Sequence, residues 1–304
     1  MSTSELRRKY RDTAIDAGLA LQPATFARRL AKRDRLDQHF TRLWLDFQME
    51  GMSRRTVLDT RTRLLVQVGQ FTMARAHGPL EDGIRAALAA DVPPREVLEI
   101  ILQCVIYGGE LVVDAAIGIF DQIADELRLH DDLASSQLPL DGTDSQRSLE
   151  TERKHWHPDD ANDGRLADLM DRHGWLGVSC GLRLRPNHHV TILAWLDGLD
   201  PHWADLWERL AYQGLYSRGI VDDKTRLLCM VGNCIAISEA HNARAHMRGS
   251  MRAGATPREV MEVILQSAVN FGMPAALSAL RAFYEIVEED GRLDEIEDPP
   301  VRSD

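Results

Sequence analysis

Three side chains in the second half of the sequence have the types and spacing of a proton-transfer site. Glu239, Asn242 and His246 are separated by 3, 4 and 7 residues, so on an α-helix they would lie along one face. A histidine near its ordinary pKa of ~6.5 can give or accept a proton at neutral pH. Glu239 would orient the imidazole or stabilise its cation, and Asn242 would hold a carbonyl or enolate oxygen. The pattern predicts acid/base chemistry around His246.

Other polar residues lie close to this stripe in sequence. His241 is five residues before His246, about 140° around a helix, so it should point elsewhere, although we keep it as a candidate catalytic residue. Arg248 is a candidate for binding a substrate carboxylate through paired hydrogen bonds. A metal site built from Glu239, His241 and His246 is the alternative. Their spacing is not that of a one-face helical metal site, and we predict no metal.

The segment that carries these residues repeats an earlier part of the chain. Pro-Arg-Glu-Val occurs at 94–97 and 257–260, and Thr-Arg-Leu-Leu at 62–65 and 225–228, a separation of 163 residues in both cases. Roughly a third of the positions between 18 and 126 are identical to their partners in this ungapped register. We therefore expect a first repeat at 1–126, a polar linker at 127–165, a second repeat with the active site at 166–290, and an acidic tail at 291–304.

The elements of each repeat are predicted to be helices. Apolar residues recur with a helical period and no stretch alternates as a strand would, so the fold class is all-α. Thr-Pro-Arg-Glu at 256–259 has the pattern of a capping box. A long helix from Asp222 towards His246 should break near 233–238, and Gly-Met-Pro at 272–274 should precede a last helix, Ala275 to Val287.

The composition excludes some classes of partner. The 304 residues carry a net charge of −11, with 44% hydrophobic and 27% charged residues, which suits a globular protein and disfavours nucleic acid or an anionic membrane as a partner. No apolar run approaches the ~20 residues of a membrane span, and the N-terminus lacks the apolar core of a signal peptide. We expect a cytoplasmic protein whose four cysteines are reduced thiols.

Two segments resemble the carboxymuconolactone decarboxylase and alkylhydroperoxidase-like superfamily. They are His-Met-Arg-Gly-Ser-Met-Arg-Ala-Gly at 246–254, and the capped helix from Thr256 followed by Gly-Met-Pro-Ala-Ala-Leu at 272–277. The resemblance implies two fused helical repeats of this superfamily and a cofactor-independent site around His246. It also implies a homo-oligomer, either a trimer that mimics a hexamer of single repeats or a dimer; a strict monomer by light scattering would contradict this.

The site positions depart from both branches of the superfamily. Where the peroxidase-like branch has two thiols and a glutamate, this chain has Glu239, Asn242 and Leu227, which argues against thiol peroxidase chemistry. Where the decarboxylase branch has a glutamate four residues before the histidine, this chain has Asn242. The histidine is retained, so the resemblance supports proton transfer at His246.

The first copy has lost the matching histidine, since Gly83 stands where His246 stands. We interpret this copy as a structural partner; the alternative is that it contributes Tyr107, Glu110 or His77 to a composite pocket. The candidate substrate-binding residues are Asn242, Cys234, Arg248, Met273, Tyr107 and His77.

The leading hypothesis is a cofactor-independent lyase, isomerase or hydrolase that acts on a small carboxylated or lactone metabolite. A thiol redox protein and a non-catalytic ligand-binding scaffold are the alternatives. Arg63 and Arg226, which both copies keep, are interpreted as structural ion-pair residues.

Overall fold

The computed structural model describes residues 3–138, 147–186 and 188–297, and every regular element in these ranges is a helix. The first half of the chain contains α1 (Thr3–Lys9), α2 (Asp12–Leu21), α3 (Phe26–Leu36), α4 (Gln38–Leu45), a π-helical segment (Asp46–Met52), α5 (Thr60–Met73), α6 (His77–Ala89), α7 (Pro94–Gln103), α8 (Val105–Gly108) and α9 (Glu110–Leu127). Three short helices follow: α10 (His130–Ser135), α11 (Leu149–Arg153) and α12 (Pro158–Ala161).

The second half contains a closely matching series of elements. These are α13 (Leu166–His173), α14 (Trp175–Leu184), α15 (His189–Leu199), α16 (Pro201–Glu208), a π-helical segment (Arg209–Leu215) with a 3-10 turn (Tyr216–Arg218), α17 (Asp223–Ala236), α18 (Ala240–Arg252), α19 (Pro257–Phe271), α20 (Met273–Glu289) and α21 (Asp294–Glu297). From α1 and α13 through α9 and α20, the matching elements begin 163 residues apart. The single helix α19 matches both α7 and α8.

The central helices of the two halves, α5 and α17, pack directly against each other. Both contribute to one apolar core, which includes Leu65 and Val66 from α5 and Leu228 and Val231 from α17. Gly69 permits the close approach, because a Cβ at this position would lie 2.4 Å from the Asn233 side-chain oxygen. The two halves therefore share a core.

Buried ion pairs join the halves in a reciprocal arrangement. Arg226 Nη2 lies 2.9 Å from Glu99 Oε1, and Arg63 Nη2 lies 3.3 Å from Glu262 Oε1. These pairs relate the same positions of the repeat with the two halves exchanged, because Arg226 follows Arg63 by the same 163 residues that separate Glu262 from Glu99. All four side chains are buried.

Local sequence signals explain where the helices of the second half begin and end. Thr256 and Glu259 form the capping box at the start of α19, with Pro257 in the first turn. The long helix breaks between Ala236 and Ala240, at the predicted position. The last long helix begins at Met273, two residues earlier than expected, because Pro274 is accommodated in the first turn.

The segment expected to be a linker is more structured than the sequence indicated. It contains α10, α11 and α12, and Glu152 of α11 is buried, with Oε2 2.9 Å from Nε of Arg183 on α14. This buried pair attaches α11 to the second half. The Pro- and Gly-containing part of the expected linker, at 139–146, and the end of the expected acidic tail, at 298–304, lie outside the described residues. None of the described helices is both long and apolar enough to cross a membrane.

Candidate active site

His246 of α18 is buried and joined to a residue of the first half of the chain. Its side chain is 2% exposed, and its Nε2 atom lies 2.8 Å from the hydroxyl of Tyr107 on α8. The two rings meet edge to face, with centroids 5.7 Å apart. This contact places the imidazole at the junction of the two halves.

The surroundings keep this imidazole uncharged. Burial lowers the pKa of His246 well below its usual range, and the positive charges of Arg185 and His188 lower it further. Within the described part of the chain, the Nδ1 atom of His246 is buried without a hydrogen-bond partner. A neutral imidazole with one ring nitrogen fixed by Tyr107 therefore has its other nitrogen free to bond to a small molecule.

Arg185 brings a cation close to the imidazole. It follows the last residue of α14, and α18 packs tightly there, since a Cβ on Gly249 would lie 2.3 Å from the Leu184 carbonyl oxygen. The Nε and Nη2 atoms of Arg185 are buried, and neither has a hydrogen-bond partner among the described residues. Because burying a cation without a counter-ion is costly, this guanidinium is suited to bind an anionic ligand.

Two neighbouring groups stay protonated. Burial raises the pKa of the Tyr107 phenol, so its hydroxyl can donate a hydrogen bond to His246. Burial likewise raises the pKa of the Cys234 thiol to about 12, although a hydrogen bond from Tyr107 acts in the opposite direction. Cys234 is therefore a neutral thiol at physiological pH, and thiolate chemistry is disfavoured.

A second histidine and a tyrosine complete the polar surroundings. Burial and the charge of Arg185 lower the pKa of His188 to about 4, so this half-buried imidazole is also neutral. Tyr212 is buried in the π-helical segment Arg209–Leu215, and its ring lies 4.3 Å from that of His189. Segments of π-helix often occur at functional sites. The cluster formed by His246, Tyr107, Arg185, Cys234 and Tyr212 is called the polar cluster below.

The structure does not place Glu239 beside His246. Glu239 precedes α18 instead of lying on it, is exposed, and accepts a hydrogen bond from Asn242 Nδ2 at 3.3 Å. The expected helical stripe therefore begins at Asn242, which is half-buried. His241 is exposed and faces a surface groove with Arg244 and Glu285.

Three further candidates lie away from the imidazole. The guanidinium of Arg248 pairs with Glu289 and with Asp290, the latter at 3.1 Å. Met273 is 54% exposed at the start of α20, and His77 is exposed at the start of α6. Of the predicted site residues, Tyr107 contacts His246, and Cys234 lies next to Tyr107.

Sequence reasoning missed Arg185, His188 and Tyr212. The signal that would have found Arg185 and Tyr212 lies in the difference between the two copies. At the matching positions the first half has residues without acid/base or cationic groups, so polar replacements are concentrated around this site: Arg185 replaces Gln22, Tyr212 replaces Met49, Cys234 replaces Phe71, and His246 replaces Gly83. In the described ranges, no three His, Cys, Asp or Glu side chains are grouped to hold a metal ion.

Comparison with known proteins places this geometry in a family context. No curated protein matches the chain. Residues 201–285, which extend from the start of α16 into α20 and include His246, match the model of the Carboxymuconolactone decarboxylase family, so this part of the chain is similar to that family.

Proposed function

We propose that the second half of this chain is a cofactor-independent acid/base enzyme of the carboxymuconolactone decarboxylase type. Its substrate would be a small carboxylated or lactone metabolite, which is decarboxylated or otherwise transformed by proton transfer. The observation that carries the proposal is a buried, neutral His246 with a free Nδ1 atom near the unpartnered guanidinium of Arg185. This combination offers a proton carrier and an anion-binding group in one low-dielectric site.

Each group has a role that follows from its surroundings. Arg185 binds a substrate carboxylate through paired charge-assisted hydrogen bonds. Tyr107 holds the Nε2 side of the imidazole, so that His246 exchanges a proton through Nδ1. In a decarboxylation, the electrons of the broken carbon–carbon bond form an enolate as carbon dioxide leaves, and a proton delivered to carbon completes the reaction.

The cysteines favour this proposal over thiol redox chemistry. All four are free and buried, and burial raises the pKa of each thiol. Since the thiolate is the reactive form, none of the four has the low pKa of a redox nucleophile. A non-catalytic scaffold would require the polar cluster to bind a metabolite without turnover.

Two further features support a duplicated unit that assembles into a homo-oligomer. The matching order of helices supports descent from one repeat, and each half exposes an apolar row with the same spacing. In an oligomer of three chains, these rows would provide subunit contacts of a pseudo-hexamer. The rows consist of Leu36, Phe40, Leu43 and Phe47 in the first half, and Leu199, Trp203, Leu206 and Leu210 in the second.

The proposal is tested at Arg185 with a panel of small carboxylates and lactones. For a substrate that the wild-type chain converts, Arg185→Gln should lower kcat/KM by about 10–100-fold, mainly through KM, because a charged hydrogen bond is worth ~1.5–3 kcal/mol. The matched control is Arg209→Gln, whose side chain is 66% exposed and pairs with Asp205 one turn away. If Arg185→Gln has no larger effect than Arg209→Gln, the assignment of the anion site is wrong.

A further inference from the structure

A second cavity of about 430 Å³ lies in the first half of the chain, against α19 of the second half. It occupies the place that corresponds to the polar cluster, since its lining residues Gln22 and Phe71 match Arg185 and Cys234 at the 163-residue separation. Its volume falls within the ~300–1,000 Å³ typical of small-molecule sites. The cavity is therefore large enough for a metabolite.

Two arginines of α3 line this cavity without an acidic partner. Arg29 and Arg33 are one helical turn apart, and no ion pair joins either of them to a carboxylate in the described part of the chain. The acid in the lining, Asp82, is already engaged: its Oδ1 accepts hydrogen bonds from the backbone N–H groups of Ala24 at 2.8 Å and Thr25 at 3.0 Å. The lining therefore has unpaired positive charge, which an anionic ligand would neutralise.

An aromatic surface lies beside these cations. The Arg33 guanidinium is 5.6 Å from the centroid of the Trp44 ring, a cation–π geometry. The indole Nε1 of Trp44 is buried and has no hydrogen-bond partner among the described residues. Phe71 and the amide groups of Gln48 and Gln67 also line the cavity. Flat apolar faces with a few donors suit a small, planar ligand.

The groups needed for proton transfer are absent from the lining of this cavity. Gly83 stands at the position of His246, and the Asp82 carboxylate is held by the residues that it caps. We propose that this cavity is a second, non-catalytic ligand site for a small planar organic carboxylate, with Arg29 and Arg33 binding the carboxylate and Trp44 packing on the ring. This inference goes beyond the proposed enzyme function and does not rest on it.

The test uses benzoate as the probe and isothermal titration calorimetry on the full chain. Arg33→Gln and Arg29→Gln should each weaken benzoate binding by about tenfold or more, because each removes a charge-assisted hydrogen bond. The control variant, Arg35→Gln, changes an exposed arginine of the same helix and should stay within about twofold of the wild type. Neutral benzyl alcohol should bind more weakly than benzoate.

A parallel titration of Arg185→Gln separates this site from the polar cluster. The proposal requires that benzoate binding survives in Arg185→Gln and is weakened in the two α3 variants. It is overturned if benzoate shows no saturable binding to the wild-type chain. It is equally overturned if only Arg185→Gln weakens binding, or if both α3 variants bind as tightly as Arg35→Gln.

Discussion

Arg226→Met is expected to lower the free energy of unfolding by about 3 kcal/mol. Arg226 is fully buried and pairs with the buried Glu99, and removing one partner of such a pair typically costs ~3–5 kcal/mol because it leaves a buried charge. We expect the lower end of this range, since Arg218 Nη1 remains 3.3 Å from Glu99 Oε2. Urea unfolding followed by circular dichroism measures the change through the midpoint at an unchanged m-value.

Two companion variants make the stability test specific. Arg209→Gln alters an exposed arginine and should change stability by no more than ~0.5 kcal/mol. The double variant Arg226→Met with Glu99→Leu should recover part of the loss, because it removes the stranded carboxylate together with its partner. An Arg226→Met chain as stable as the Arg209→Gln chain would show that the reciprocal pairs do not hold the halves together.

His246→Ala is expected to lower kcat by about 10²–10⁴-fold on any substrate that the wild-type chain converts, which is the range for losing a general acid or base. The fold should persist, so the helical circular dichroism should match that of the wild type. The control is His202→Ala, because His202 is exposed on α16. Steady-state kinetics on the substrate identified with the carboxylate and lactone panel measures both variants.

The pH dependence adds a second readout to the same variants. Because burial lowers the pKa of His246, its neutral form persists below the ordinary value of ~6.5. If His246 accepts a proton from the substrate, kcat/KM should not decline with a midpoint near 6.5 as the pH falls. Full activity of His246→Ala would leave the non-catalytic scaffold as the better account.

The helical architecture could be predicted because its signals are local. The capping box at Thr256, the break before α18 and the ungapped repeat are all visible in short stretches of sequence. The short helices α11 and α12 could not be predicted in the same way. Ion pairs such as the one between Glu152 and Arg183 join residues 31 positions apart and depend on tertiary packing.

The candidate site was predictable only around its histidine. Counting residues along a helix placed Glu239 next to His246, but the helix begins one residue after Glu239, so the acid faces solvent. Tyr107 reaches His246 from 139 positions away in sequence, and Arg185 approaches it through the packing of α14 against α18. Such contacts do not follow from helical periodicity. A comparison of matching positions in the two copies would have indicated Arg185, because the first half has Gln22 there.

Nitrogen-15 NMR of the histidine side chains over a pH titration tests the central claim most directly, and it requires no knowledge of the substrate. The His246 signals, assigned by their loss in His246→Ala, should report a neutral imidazole from about pH 8 down to about pH 5. A His246 imidazole that titrates with an ordinary midpoint near ~6.5 would show that the ring is open to solvent, and would contradict a buried proton-transfer site.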